Sequence, residues 1–395
     1  MTALQRDIIN LIKSALIGEK VELSESFSVE DALKIAKKHR ISILLYYGLA
    51  NSQIKLPKEE NYSTLELLSF KEVAVSNNQM YALSHLYSKF EENGIDYLLF
   101  KGSVLKELYP KPELRPMGDA DILIKVQQYE KIKPIMEELG YDFGGEGLCE
   151  IIWKKKGQLY LELHKSLVPS NVEDYYIHFG TGWDMAIKSS GYNCRYELSP
   201  EDHFLFIFTH LARHYRSGGI GIKHFVDIWM YNRIYNNLDS DYIIRRLDEI
   251  GLKEFYHNVI DTLSVWFDGK EDTSMSDFIT SIVFESGAFG LQSKYILSDA
   301  LKRKAETNNS ILSAKQSKIR WLLFLPYDIM CLKYPVLKKV PILLPLFWVI
   351  RGINAIIFKK NKIKNSLEEV NGIKDTEVEE YRQALDYVGL EYKSK

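Results

Sequence analysis

Cysteine is scarce in this sequence of 395 residues. Its three cysteines, Cys149, Cys194 and Cys331, are far apart and form no C-x-x-C pair. Their spacing argues against a cysteine-based zinc site and against a small fold held by disulfides. An odd and sparse set of thiols is typical of a reducing compartment, so the sequence predicts a cytoplasmic protein.

A strong charge imbalance is also missing. The 51 Lys and Arg residues nearly balance the 53 Asp and Glu residues, which argues against a wholly basic nucleic-acid binder. Asp7 and Lys13 interrupt the first apolar run, so the N-terminus predicts an amphipathic helix rather than a signal peptide. The composition is ordinary for a soluble globular protein, and the length predicts about two or three domains.

Changes in pattern divide the chain into four regions. Helical periodicity predicts a helical region over 1–93. Apolar runs at 95–100 and 119–124, a helix over 127–139 and a hairpin over 151–164 predict a mixed α/β core at 94–197. A second helical region follows at 198–315, where Ser199-Pro200 is a strong helix start, and a basic apolar tail occupies 316–395. The predicted fold class is α+β, a small mixed sheet flanked by helical regions.

The tail lacks acidic residues over a long stretch. Between Cys331 and Leu367 there are eight basic residues and no acidic one. The apolar part, 340–358, is nearly long enough to cross a bilayer of about 30 Å. Two prolines, Arg351 and Asn354 argue against a span. The stretch 333–364 therefore predicts either peripheral contact with the inner face of a membrane or packing on the protein body.

The acidic residues of the core region carry the strongest chemical signal. Asp119 and Asp121 are two apart on a predicted strand, so both carboxylates project from one face. A divalent cation relieves their repulsion, and Mg²⁺ prefers such oxygen ligands. Glu162, on the next predicted strand pair, would bring a third carboxylate, and His164 would lie on the same face beside it. The alternative interpretation is a solvated strand end with an exposed glutamate.

The Gly102-Ser103 pair ends the first predicted strand and opens a helix. Glycine allows close backbone approach, and the N–H groups of a helix start can hold a phosphate. Lys101 and Arg115 would supply counter-charge to the same group. For Arg115, a structural ion pair with a neighbouring acid is the alternative. Three carboxylates beside such a turn indicate two-metal phosphoryl chemistry.

Two further pairs are spaced four residues apart, as on one helical face. His210 and His214 form a His-x-x-x-His pair, but Leu211 stands where a zinc protease has glutamate, so helix packing or an acceptor site is favoured. Lys223 and Asp227 predict a surface ion pair, and a role in lining the acceptor cleft stays open.

The strand, Gly-Ser turn, short helix and Asp-x-Asp strand together resemble the polymerase-β-like nucleotidyltransferase superfamily. More narrowly, Lys101-Gly102 through Arg115 to Asp119-Ala120-Asp121, with Leu161-Glu162-Leu163-His164, resembles the bacterial nucleotidyltransferase family 5, a group of uncharacterised nucleotidyltransferases. The specific motif lies within residues 101–164. The resemblance extends over most of the chain, including the tail around Trp348.

The resemblance implies a sheet of nucleotidyltransferase type and a Mg²⁺- or Mn²⁺-dependent reaction. A nucleoside monophosphate would pass from an NTP to an acceptor hydroxyl on a sugar, small molecule or macromolecule, with release of pyrophosphate. The implied catalytic residues and metal ligands are Asp119, Asp121 and Glu162. His164 is predicted to support them, because it lies two residues beyond Glu162 on the same strand face. The implied nucleotide-binding residues are Gly102 and Ser103. Lys101, which stands where the family usually has an apolar residue, and Arg115 are predicted to bind the same triphosphate because of their charge.

Two other functions stay open at this point. The first is a nucleotide-sensing or partner-binding protein that keeps the fold without catalysis, at a membrane surface or elsewhere. The second is modification of tRNA or protein, as in toxin-like relatives of the superfamily. The near-neutral charge argues mildly against tRNA.

Overall fold

The computed structural model describes residues 1–52, 60–157, 159–170, 173–307, 310–358 and 360–391. Helices form most of these residues, and one mixed β-sheet interrupts them in the first half of the chain. Helical regions therefore lie on both sides of a small mixed sheet in the sequence. This architecture confirms the predicted α+β fold class.

Among the described residues, four helices precede the sheet. Helix α1 is the amphipathic helix predicted at the N-terminus, and it buries Ile8, Leu11 and Ile12 on one side. Helix α4 is much longer than the others, and the chain turns after it at Gly94, where φ is +64°. These helices are α1 (Ala3–Ile17), α2 (Val29–His39), α3 (Ser42–Asn51) and α4 (Glu60–Glu92).

The sheet has seven strands in the order β3-β4-β5-β2-β1-β7-β6. They are β1 (Tyr97–Leu99), β2 (Asp119–Ile124), β3 (Asp142–Glu146), β4 (Glu150–Lys154), β5 (Tyr160–His164), β6 (Ile187–Lys188) and β7 (Arg195–Glu197). Strand β2 lies at the centre, antiparallel to β1 and parallel to β5. Strands β4 and β5 form the antiparallel hairpin that the sequence predicted.

The remaining helices connect the strands and then form the second half of the chain. Helix α8 begins as predicted, because the Ser199 hydroxyl accepts a hydrogen bond from the backbone N–H of Asp202 at 3.1 Å. These helices are α5 (Gly102–Leu105), α6 (Tyr129–Glu138), α7 (Glu173–Phe179), α8 (Pro200–Gly218), α9 (Ile222–Ile234), α10 (Ser240–Glu249), α11 (Lys253–Phe267), α12 (Ser274–Ser286), α13 (Gln292–Glu306), α14 (Ile311–Leu323), α15 (Tyr327–Lys333), α16 (Leu344–Phe358), α17 (Lys360–Gly372) and α18 (Asp375–Tyr387).

The two faces of the sheet differ in chemistry. One face packs on α4 and α6 through alternate apolar residues of β2 and β5: Ala120, Ile122, Ile124, Leu161 and Leu163. Because side chains alternate along a strand, the intervening polar residues point to the other face. Helix α8 packs on that second face, where the ring of Phe206 meets Phe100 edge-on with centroids 5.3 Å apart.

The chain folds into two compact units. Unit 1 contains residues 1–145, 149–212 and 220–289, and unit 2 contains residues 146–148, 213–219 and 290–395. The central strands of the sheet and α9 belong to unit 1, whereas α13 to α18 belong to unit 2. The division into four regions at 93, 197 and 315 stays a prediction.

Candidate functional site

The candidate site lies on the polar face of the sheet, where β2 and β5 run side by side. Asp119 and Asp121 are on β2, and Glu162 and His164 are on β5. The parallel register places Asp121 opposite Glu162. Residues at paired positions of neighbouring strands project from the same face. The sheet therefore brings Asp121 and Glu162 together although 41 positions separate them in the sequence.

Asp121 is buried, and two cationic side chains contact it. Its Oδ1 accepts hydrogen bonds from the Lys101 ammonium at 2.7 Å and from His164 Nε2 at 2.8 Å. The same His164 nitrogen lies 3.6 Å from Oε2 of Glu162. Both of these hydrogen bonds end on the same carboxylate oxygen, Oδ1.

The electrostatics of this network follow from its burial and its charges. Burial by itself would raise the pKa of Asp121, but Lys101 and His164 outweigh it and hold that pKa well below the usual range. Burial would likewise lower the pKa of His164, but hydrogen bonding, with Asp121 first, raises it instead. At neutral pH the network is therefore an anionic Asp121 between two cations.

Asp119 stands at the edge of this network. Its side chain reaches solvent at the mouth of a cleft, although protein atoms surround much of it. This desolvation, followed by the negative charges of Asp121 and Glu162, raises the pKa of Asp119. A bound cation would lower the repulsion among these three carboxylates.

The residues that lie close enough to share one metal ion are not quite those predicted. Within the described ranges, Asp121, Glu162 and His164 form one group whose ligand atoms lie within 4.8 Å of one another. Asp119 is not part of this group, although it shares the strand face and lines the cleft with Asp121. The structure thus places His164 inside the acidic cluster and Asp119 at its entrance.

Lys101 has an unusual backbone conformation. Its φ of 50° and ψ of −126° fall in a region that favours glycine and costs other residues about 1–3 kcal/mol. The bend makes Lys101 the residue that starts α5, because its carbonyl accepts a hydrogen bond from Leu105 N at 2.9 Å. The bend also accompanies the contact of its ammonium with Asp121. Strain of this kind concentrates at functional sites.

The two residues of the Gly-Ser turn face different surroundings. Gly102 lines the cleft, and a Cβ there would lie 2.9 Å from the Met117 sulfur and 3.1 Å from Arg115 Nη1. Ser103 is buried, and its hydroxyl points to the carbonyl of Asp121 at 3.5 Å. The glycine is therefore placed to meet a ligand, whereas the serine hydroxyl is directed into the protein.

Arg115 is tied to a partner that the sequence did not indicate. Its Nε and Nη2 donate to the two carboxylate oxygens of Asp227 at 2.7 and 2.9 Å, and the Tyr109 hydroxyl donates to the same carboxylate. Both Arg115 and Asp227 are buried. The predicted surface ion pair between Lys223 and Asp227 is wrong, because Asp227 is buried and its carboxylate pairs with Arg115.

The wall opposite the acidic cluster comes from α8 and α9. Lys223 lines it, donates to the carbonyl of Pro116 at 3.3 Å, and has a pKa lowered to about 8, first by burial and then by the charge of Arg115. His210 and His224 also line the cleft, with ring centroids 6.0 Å apart. Two sequence signals indicated this wall: the i, i+4 spacing of Lys223 and Asp227, and His210 of the His210–His214 pair.

This arrangement can hold a divalent cation and an anionic group side by side. The carboxylates of Asp119, Asp121 and Glu162 supply oxygen ligands, whereas Lys101 and Lys223 supply positive charge on the same cleft. Hard oxygen donors next to lysines suit a metal ion that itself carries phosphate oxygens.

Comparison with protein families gives one match. The model of a family described as uncharacterised nucleotidyltransferase matches residues 25–268, more than half of the chain, so the chain belongs to this family. The match confirms the resemblance to uncharacterised nucleotidyltransferases and supports a role in nucleotidyl transfer. The tail around Trp348 lies outside the matched residues, and the bacterial origin stays a prediction. Neither a comparison with curated proteins nor one with solved structures found a match.

Proposed function

We propose that this chain, as a member of the uncharacterised nucleotidyltransferase family, transfers a nucleoside monophosphate from an NTP to an acceptor hydroxyl and releases pyrophosphate. One observation carries the proposal. The β2–β5 register sets Asp121 opposite Glu162, with Asp119 on the same face, beside a cleft that also carries Lys101 and Lys223.

A divalent cation, Mg²⁺ or Mn²⁺, fits the residues present. Asp119, Asp121 and Glu162 would hold it through carboxylate oxygens. Burial first, and then the charges of Asp121 and Glu162, raise the pKa of Asp119, and a bound ion would neutralise that negative charge. When bound, the ion would neutralise the phosphates and stabilise the charge that develops during transfer. His164 donates to Asp121 and so positions a ligand, which is a common role for a group behind a metal site.

The protein's own side chains would perform the remaining tasks. Lys101 and Lys223 would bind phosphate oxygens, and Gly102 would let the backbone approach them. The acceptor oxygen forms a bond to the α-phosphorus while the bond to the β-phosphate oxygen breaks, so pyrophosphate leaves. Glu162, whose side chain is 27% exposed, would accept the proton of the acceptor hydroxyl. Positioning and charge neutralisation would supply most of the rate.

The alternative, a nucleotide-sensing protein without catalysis, also has one observation in its favour. Lys101 and His164 already neutralise Asp121 through its Oδ1. A built-in cation can replace the charge of a metal without supplying its chemistry. The two functions differ in one measurable product, because only transfer releases pyrophosphate.

The test uses the full chain with NTPs labelled at the α-phosphate, Mg²⁺ or Mn²⁺, and a cell extract as the source of acceptor. Asp119→Asn is the main variant, because Asp119 is exposed and its replacement leaves the buried network intact. We expect it to lower labelling by at least about 100-fold, since even outer partners of metal sites cost 10–100-fold. Asp142→Asn, an exposed aspartate on β3, is the matched control and keeps full activity.

Binding of Mn²⁺ provides a readout that does not depend on activity. Electron paramagnetic resonance is expected to show Mn²⁺ binding to the wild-type chain and weaker binding to Asp119→Asn. Full labelling by the Asp119→Asn variant would overturn the proposal. NTP binding without pyrophosphate release, under every acceptor condition, would decide for the sensing function.

A further inference from the structure

We propose that the outer face of α16 docks on an anionic lipid membrane surface. This inference lies beyond the proposed function and concerns unit 2. It rests on three features of the segment around α16: its exposed apolar side chains, their arrangement on one face, and the charges at its ends.

Exposure is the first feature. Residues Pro341–Phe358 form a stretch long and apolar enough to cross a membrane by length and composition, and none of it is buried. Large apolar side chains normally leave water when a chain folds, so a long stretch that stays exposed marks an interaction surface. Ile342, in the turn just before α16, is exposed. The exposed members at helical spacing within α16 are Leu346, Val349, Ile353, Ile356 and Ile357, each more than half exposed.

These side chains share one face of the helix. Their spacings of three and four residues place them along a single stripe. The opposite side of α16 is fixed by unit 2 itself. Trp348 Nε1 donates to the carbonyl of Leu325 at 2.9 Å, and Phe347 and Trp348 pack on a small core formed by Leu325, Met330, Cys331 and Leu337. The helix is therefore held in place with its apolar stripe exposed to solvent.

Arg351 does not disturb this stripe. Its Nη1 donates to the carbonyls of Leu322 and Leu323, the last residues of α14, at 2.8 and 3.4 Å. A guanidinium at a helix C-terminus stabilises the helix, because it donates hydrogen bonds to the last carbonyls and its positive charge opposes the negative end of the helix dipole. The charge that argued against a membrane span in the sequence thus lies on the inner side of α16.

Charge complementarity identifies the partner. The exposed Lys338 and Lys339 stand just before the stripe, and Lys359 and Lys360 follow it in the sequence. Acidic residues are absent from 332–366. An apolar stripe between basic ends matches the acyl chains and anionic headgroups of a membrane interface. The exposed Phe324, whose ring lies 5.2 Å from Trp348, extends the surface with an aromatic residue of the kind found at such interfaces.

Two other arrangements, a dimer formed through α16 and a membrane span, fit less well. In a symmetric dimer with antiparallel α16 helices, the basic ends of one copy would face those of the other, and like charges would oppose association. As a membrane span, the stretch Pro341–Phe358 is only just long enough, since 18 helical residues extend about 27 Å, and its two prolines, Arg351 and Asn354 argue against that arrangement. The geometry therefore favours a helix lying in the interface.

The first experiment is sedimentation of the full chain with vesicles. Phosphatidylcholine vesicles with added phosphatidylglycerol are expected to bind the wild-type chain, and pure phosphatidylcholine much less. The double variant Ile353→Asp/Ile356→Asp is expected to lose about 100-fold or more in binding, since each buried isoleucine contributes about tenfold or more. Ile177→Asp, at a residue 85% exposed on α7, is the matched control and binds as the wild type.

Charge is tested separately. Lys338→Gln/Lys339→Gln is expected to lower binding about 30-fold at low salt, because each lysine near an anionic leaflet contributes about fivefold. Lys131→Gln/Lys302→Gln removes two exposed lysines elsewhere and keeps binding unchanged. Equal binding by all four variants would overturn the proposal.

Insertion is measured with a fluorescent label, which the buried state of Cys149, Cys194 and Cys331 permits. An environment-sensitive dye on Ile353→Cys is expected to shift to the blue and be quenched by brominated lipids, whereas the same dye on Ile177→Cys is not. Failure of the dye to enter the lipid would overturn the proposal. A dimer in solution that Ile353→Asp dissociates, or resistance of the bound chain to alkaline carbonate extraction, would overturn it in favour of self-association or a span.

Discussion

Replacing Arg115 by methionine separates a structural role from the nucleotide-binding role that the sequence predicts. The guanidinium holds both oxygens of Asp227, and the Tyr109 hydroxyl completes this buried group. Methionine keeps much of the side-chain volume and removes the charge. The variant therefore leaves Asp227 buried without its cation, and the segment before β2 loses its link to α9.

The magnitude follows from burial. Arg115 and Asp227 are 5% and 3% exposed, so solvent cannot replace the lost partner. Removing one member of a buried ion pair costs about 3–5 kcal/mol. An unfolding entropy of about 2.1 cal/mol/K per residue, spread over roughly 280 residues of unit 1, converts this cost into a drop of about 5–9 °C in melting temperature.

Scanning calorimetry of the full chain measures the effect, with hydrogen exchange of β1 and β2 identifying the transition of unit 1. The control is Arg382→Met, which removes an arginine that also holds a carboxylate, Glu379, but on the exposed surface of α18. An exposed pair contributes less than about 1 kcal/mol, so this variant melts almost as the wild type does. The double variant Arg115→Met/Asp227→Leu removes both charges and is expected to recover at least half of the loss.

A different pattern would refute this reasoning. If Arg115→Met melts with the wild type and yet loses NTP binding in the same buffer, Arg115 contacts the triphosphate as the sequence predicted. The ion pair with Asp227 would then contribute little to stability. Equal melting of the single and double variants at a lowered temperature would show that packing, not charge, causes the loss.

Two further variants test contacts of the N-terminal helices α1, α2 and α3. His39 is buried and neutral, with Nδ1 accepting from Ile222 N and Nε2 donating to the carbonyl of Phe284, and burial lowers its pKa to about 4. Between about pH 6.5 and 4 the unfolded chain therefore binds a proton that the folded chain does not, so about 3 kcal/mol of stability should be lost as the pH falls through this range. Urea unfolding measured across this range should show a weaker dependence of stability on pH for His39→Gln. The same pH dependence in that variant as in the wild type would contradict this account. Gly48→Ala would place a Cβ against the backbone carbonyl of Leu11 and separate α1 from α3, whereas Gly352→Ala meets no atom within 4 Å. The first variant should lower the melting temperature and the second should not. Equal melting of the two would show that α1 and α3 do not depend on this close approach.

The sequence predicted the central part of the fold well because its signals are local. The run from Asp119 to Ile124 is β2 itself, and the hairpin and the start of α8 follow from turn and capping residues. It did not predict β7, which has three residues, two of them charged. That strand exists because it pairs with β1, beginning where Tyr97 N donates to the carbonyl of Cys194 at 3.0 Å. Such pairing depends on tertiary structure and leaves no pattern in the chain.

The partner of Arg115 was beyond sequence reasoning for a related reason. Helix α9 buries every residue from Phe225 to Tyr231, so it has no apolar stripe from which the direction of Asp227 follows. The i, i+4 spacing then favours Lys223 as its partner. The actual partner lies 112 residues away, where no periodicity connects the two.

The register of β2 and β5 explains why the acidic pair was predictable although its surroundings were not. A slip of one residue would set Leu161 or Leu163 opposite Asp121 and turn Glu162 towards α4 and α6. That slip would bury a carboxylate in the core and expose leucines, so the apolar face fixes the register. The same alternation that fills the core with Ile122 and Leu163 therefore holds Asp121 and Glu162 together on the other side. Lys101 reaches them through its own backbone bend, which is a property of one residue and not of a repeating pattern.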